Sequence, residues 1–135
     1  AMNGQPWEFI VVDDRATLDT LADRLRYAKM LFGAPLAITV CARPYFIDKE
    51  GVKRDGKFWA HDAAAATENI LIAAQAMGLG CCWTAAADDR ADVVREVLGV
   101  PADVNPFAVI SIGWPDGDFA PKDKWNTDKI HNNRW

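Results

Sequence analysis

The longest apolar stretch in the chain runs from Phe58 to Thr84, FWAHDAAAATENILIAAQAMGLGCCWT. Ala63, Ala66, Ile70, Ala73, Ala74 and Met77 recur at helical spacing, and Leu71 and Ile72 widen the stripe. The pattern predicts a long helix covered on most sides, suited to the centre of a domain or of a dimer interface. Asp62 stands where a carboxylate favours the helix dipole. Gly78 and Gly80 offer the positive-φ freedom that stops a helix and reverses the chain, here into a short strand over Cys82–Ala86. Ala63 to Ala66 leave a flat surface for close packing.

Other segments follow the same two periods. Glu8–Val12 reads as a strand, and Asp13-Asp14 offer helix caps. Leu18, Leu21, Ala22, Leu25 and Ala28 then predict an amphipathic helix, with Arg26 and Lys29 placed to favour the dipole at its end. Gly33-Ala34-Pro35 breaks it. Leu36–Ala42 is a continuous apolar run and predicts a central strand. Arg43–Lys57 is polar and predicts a loop or lid, whose only aromatics are Tyr45 and Phe46. Asp88 or Asp89 caps a further helix through Val93, Val94, Val97 and Leu98, closed by Gly99 with Pro101 beyond. Phe107–Gly113 predicts a last strand, ended by the turn Trp114-Pro115-Asp116-Gly117. These elements imply an α/β (α+β) chain: a small mixed sheet with helices on its faces.

Composition narrows the chemistry. The 135 residues suffice for one domain, 1–135. A net charge of −4 gives no support for nucleic-acid or anionic-membrane binding. No apolar run reaches bilayer length. Three cysteines, two of them adjacent, make no disulfide framework and point to a reducing, cytoplasmic setting. Cys81-Cys82 lacks the spacing that wraps ligands round a metal, so one thiol is expected to pack inward and the other to lie near a ligand. His131 has no partner at metal spacing and reads as structural. Ser111 is the only serine and sits in no nucleophile elbow. Chemistry by side chains is therefore weakly supported, and a cofactor that carries its own chemistry fits better. The turn Gly78–Thr84 sets backbone amides beside an aromatic ring, a combination able to hold a planar ligand.

Four segments, in order, resemble the nitroreductase family of FMN-dependent oxidoreductases. Asn3-Gly4-Gln5-Pro6-Trp7 is similar to the family's Asn-x-Gln-Pro-Trp. Ala34-Pro35 is similar to its lead into the central strand. Asn69 with Gly78-Leu79-Gly80-Cys81-Cys82-Trp83 resembles its alanine-rich helix and Gly-Leu-Gly-x-Cys-Trp turn. Pro121-Lys122-Asp123-Lys124-Trp125 and the closing Lys129–Trp135 resemble its C-terminus. The resemblance implies a three-layer fold around the long helix and an intertwined homodimer with two FMN sites at the interface. It implies a ping-pong reaction from NADH or NADPH to a nitroaromatic, quinone or similar small acceptor. The implied cofactor contacts are Asn3 and Gln5 on the ring, Gly80, Cys81, Cys82 and Trp83 near its N5/O4 edge, and Lys122 and Lys124 on the phosphate. A lysine near the position of Lys29 can reach the flavin or nicotinamide in the family, and the arm of about 118–135 is expected to dock on the partner subunit.

One departure bears on function. The family carries a helical arm with an arginine-rich phosphate motif ahead of Asn3, whereas this chain opens at Ala1-Met2. Met2 fits an initiator and Ala1 a residue left by cloning. The alternative reading is therefore a shortened member with weak or no FMN binding, acting as a dimeric scaffold or partner subunit.

Overall fold

The computed structural model describes residues 1–86, 88–117, 120 and 122–135. Four strands form the main sheet: β1 (Trp7–Val12), β2 (Leu36–Ala42), β5 (Gly80–Ala85) and β6 (Asn105–Gly113), in the order β1-β2-β6-β5. Two short strands, β3 (Tyr45–Ile47) and β4 (Lys53–Asp55), pair as a separate hairpin. Helices α1 (Arg15–Arg24) and α3 (Asp89–Leu98) cover one face of the sheet, and α2 (Trp59–Ala76) lies on the other. The three-layer α+β architecture read from the sequence is the one the chain adopts. Within it the expected mixed sheet resolves into three antiparallel pairings. Like-directed strands, β1 with β6 and β2 with β5, are always separated by one of opposite direction, so no parallel neighbours arise.

Alternation along β2 divides the core. Ala37 and Cys41 face α1 and α3, while Val40 and Ala42 face α2. The α1/α3 side is densely filled: Leu18, Leu21, Leu25, Leu31, Val94 and Val104 are all at 2 % exposure or less. Burying each such side chain contributes roughly 1.5–3 kcal/mol. Asp14 caps α1, its carboxylate accepting from the Thr17 amide at 2.8 Å.

Helix α1 ends four residues before the apolar stripe predicted. The stripe continues through Leu25, Ala28 and Leu31, all buried, but the backbone leaves the helix at Leu25 and resumes as a 3₁₀ turn over Lys29–Phe32. Arg15 fixes this reversal from the far end of the helix, donating to the carbonyls of Ala34, at 2.9 Å, and Leu31. Arg26 and Lys29 consequently lie beyond the helix, and the basic residue in its last turn is Arg24.

The expected loop or lid, 43–57, contains the β3–β4 hairpin. Arg43 anchors it, binding Glu8 at 2.6 Å and Asp103 at 2.7 Å, while the Tyr45 hydroxyl donates to Asp103 at 2.6 Å. Helix α2 also departs from expectation. Only Ala63, Thr67 and Ala74 are buried on it, and Ile72 and Met77 stand 60 % and 70 % exposed. Within this chain one side of the helix is covered. Gly78 ends it with φ 74° as expected, but Gly80 needs no such freedom and opens β5 instead. Gly99 closes α3 in the left-handed conformation; Asp88 stands at its start without a side-chain capping bond.

In β6, Val40 pairs with Ala108 but Cys41 pairs with Pro106, leaving Phe107 as a bulge. The extra residue sets Phe107 with Ala108 on the α2 face, where its ring meets Trp59 at 6.4 Å and Trp83 at 5.7 Å. This aromatic group ties α2, β6 and β5 together.

Candidate functional site

Strand β5 is an outer edge of the sheet, and its hydrogen-bond alternation decides which amides a ligand can reach. The Ala86 amide donates to the Phe107 carbonyl at 2.9 Å. Counting back by twos, the amides of Thr84, Cys82 and Gly80 also turn toward β6. Those of Cys81, Trp83 and Ala85 turn outward. Of the backbone amides in the stretch Gly80–Trp83, those of Gly80 and Cys82 are committed to the ladder, and those of Cys81 and Trp83 are free, joined by that of Ala85 beyond it. Alternation counted from a paired residue is the signal that finds Ala85, and the pairing is absent from the sequence.

The β5 side chains divide as expected for adjacent cysteines. Cys81 packs toward α2, its thiol donating to the Leu71 carbonyl at 3.8 Å, while Cys82 is exposed. Burial, with smaller contributions from Cys82 and Glu68, raises the Cys81 thiol above its ordinary value. Cys41, in the core, is pushed up to about 11 by burial and then by Glu8. Both remain protonated near neutrality, which suits packing rather than nucleophilic work. Among the described residues no cluster of three potential metal ligands occurs.

Two grooves flank this edge. One, of about 310 Å³, is lined by Tyr27, Cys82, Trp83, Thr84, Ala85 and Arg90. The other, of about 440 Å³, extends past Gly80, Cys81 and Cys82 to Gly33, Ala34 and Trp114. Both fall in the size range of small-molecule clefts, roughly 300–1,000 Å³. Thr84 ties the first groove to the segment after α1, its hydroxyl donating to the Tyr27 carbonyl at 3.3 Å.

The other residues singled out from sequence do not join β5. Asn3 and Gln5 precede β1, at the opposite edge of the sheet, and both are exposed. Three strand spacings, about 14 Å, separate β1 from β5. Both residues adopt left-handed backbone, φ 52° and 45°, with Pro6 buried behind them. A groove of about 430 Å³ runs between β1 and α2, bounded by Trp7, Phe9, Ala65, Asn69 and Ala73. Lys122 and Lys124 are exposed in a segment without regular secondary structure; Pro121, the first residue of their motif, lies outside the described residues. Lys29 approaches Asp23 and the Phe32 ring. His131 stacks on Trp135 at 4.2 Å. No helix among the described residues is long and apolar enough to cross a membrane.

The family model described as nitroreductase family matches residues 22–114. An Archaeoglobus fulgidus protein with the provisional name NADH dehydrogenase/NAD(P)H nitroreductase is 38 % identical over 140 residues, covering 100 % of this chain and 78 % of the relative. A crystal structure from Bacteroides thetaiotaomicron under the same provisional name superposes with a TM-score of 0.89 at 42 % identity, covering 100 % of this chain and 76 % of the other. An FMN-dependent nitroreductase from Clostridium difficile gives a TM-score of 0.83 at 33 % identity, covering 100 % and 79 %. These three relatives align over the whole of this chain, and the chain belongs to the nitroreductase family.

Proposed function

We propose that the chain is an FMN-dependent oxidoreductase that takes electrons from NADH or NADPH and passes them to a nitroaromatic, quinone or similar small acceptor. It works as a homodimer in a cytoplasmic setting. The observation that carries this reading is the separation of its ring-binding groups. Outward amides stand on β5, and the side-chain amides of Asn3 and Gln5 stand ahead of β1 at the far edge. A second copy related by a two-fold axis would set its Asn3–Gln5 segment against the β5 edge of the first and receive the same in return, giving two equivalent sites. The uncovered α2 face, with Ile72 and Met77, supplies apolar surface for such an association.

Bound FMN would supply the electron storage, accepting hydride equivalents from the donor and returning electrons to the acceptor in a ping-pong cycle. The chain supplies the surroundings. The outward amides of Trp83 and Ala85 would donate to acceptor atoms along one ring edge, from a strand already ordered by its pairing with β6. Asn3 and Gln5 offer both donors and acceptors to a pyrimidine-type edge. Lys122 and Lys124 would neutralise the phosphate, with the 118–135 arm docked on the partner. The residues fit the group in type: amides at the edge, aromatic surface beside it and ammonium groups at the phosphate.

An FMN titration followed by flavin fluorescence and absorbance, with size in solution recorded alongside, tests this. The expected result is one FMN per chain bound to a dimer. No binding at micromolar FMN would overturn the oxidoreductase reading and favour the dimeric scaffold or partner subunit.

A further inference from the structure

The chain has eight arginines. Arg15, Arg24, Arg43, Arg54 and Arg95 each pair with a carboxylate. Among the described residues Arg26, Arg90 and Arg134 have no such partner, and the first two lie at one aromatic ring. The Arg26 guanidinium carbon is 5.2 Å from the Tyr27 ring centre and that of Arg90 is 5.6 Å. Tyr27 and Arg90 line the groove of about 310 Å³ along the outward amides of β5.

Chain direction explains the meeting. Arg26 follows the early end of α1, and Arg90 stands in the first turn of α3, on the same side of the sheet. Tyr27 is tied to β5 by the Thr84 hydroxyl, which donates to its carbonyl. The acidic residues near Arg90 do not neutralise it: Asp92 lies 3.6 Å from Arg95, and Asp88 and Asp89 are exposed and make no ion pair among the described residues. A guanidinium stacked on a ring keeps its in-plane N–H groups free for an oxyanion. Two such groups in a chain of net charge −4 make a local positive site against the overall sign.

We propose that Arg26 and Arg90, carried on Tyr27, bind a phosphomonoester, and that this group is the 2′-phosphate of NADPH, which makes the phosphorylated dinucleotide the preferred electron donor. The ligand's identity rests on the oxidoreductase reading; the anion site does not. The pyrophosphate common to both donors gives no discrimination. A phosphomonoester adds about two negative charges near neutral pH and three acceptor oxygens, matched to two guanidinium forks.

Calorimetric titration with NADP⁺ and NAD⁺ tests the site without turnover. NADP⁺ should bind about tenfold or more tightly than NAD⁺, through the charge-assisted bonds that only it can make. Arg26→Gln and Arg90→Gln should each weaken NADP⁺ about tenfold and shrink that ratio. Arg90→Lys, which keeps the charge but not the fork, should fall between. Circular dichroism on each variant checks that the fold is kept. Adenosine 2′-monophosphate should compete with NADP⁺, and adenosine should not. Equal affinity for the two dinucleotides, or variants that bind NADP⁺ as the parent does, would overturn the proposal. A chain that binds NADP⁺ through these arginines but oxidises neither donor keeps the site and overturns the oxidoreductase reading. A chain that oxidises both donors with equal kcat/KM, unchanged in Arg90→Gln, keeps that reading and overturns this one.

Discussion

The two faces of the sheet are built to different ends. On the α1/α3 side, large side chains from both helices meet β1, β2 and β6, and Leu21 and Val94 are fully enclosed. On the α2 side, the residues buried on the helix are two alanines and a threonine, while Ile72 and Met77 point away from the sheet. The first face closes the fold within one chain. The second buries enough to seat α2 and leaves most of its apolar surface for something else. Apolar content alone does not distinguish them, since α2 is the more apolar element by sequence. What differs is whether the apolar residues find partners within their own chain.

The contrast can be broken most severely at the closed face. Leu21→Ala should cost about 3 kcal/mol, the usual loss for a large core residue truncated where neighbours cannot collapse, and a urea unfolding midpoint will show it. A fall below 1 kcal/mol would mean that the α1/α3 core is looser than its packing indicates. At the open face, Ile72→Glu places a carboxylate on the proposed interface, where an unpaired charge costs about 3 kcal/mol or more. Light scattering should show a dimer becoming a monomer with its helical signal retained. A dimer that survives would put the interface elsewhere.

The closed face also has a pH signature. Burial pushes the Cys41 thiol up from 9.0 to about 11 in the fold. The folded state therefore holds its proton where the unfolded chain releases one. Stability is unaffected by this group below 9.0 and declines as pH rises toward about 11, and Cys41→Ala should lose that decline. The smallest effect runs the other way. Thr39 is fully buried, and its hydroxyl has no hydrogen-bond partner among the described residues. Thr39→Val should gain about 1 kcal/mol by removing an unsatisfied polar group, measured by thermal unfolding.

Much of this was legible in the sequence, and the losses are instructive. β2 and β6 announced themselves because both of their faces are buried, giving unbroken apolar runs. The Asp14 cap and the Gly99 stop were legible because each acts within a few residues. The end of α1 was not: the same apolar spacing continues through Leu25, Ala28 and Leu31 although the backbone has changed, because the core needs those side chains in either conformation. The β3–β4 hairpin was hidden because β4, Lys53-Arg54-Asp55, is polar and exposed, and β3, Tyr45-Phe46-Ile47, is too short to show a period. At the candidate site, the residue types around β5 were visible, but which amides face outward depends on pairing with β6. The separation of Asn3 and Gln5 from β5 depends on strand order, which no local pattern encodes.

The open edge of β5 carries a cost in handling the protein. Gly80-Cys81-Cys82-Trp83-Thr84-Ala85 contains no charge and no proline, the usual deterrents to edge-on-edge association. With its outward amides unfilled, this strand is the natural template for chains to add to one another. A ligand seated along it would serve as a solubiliser as well as a reagent, so protein made under flavin starvation should precipitate first through this strand.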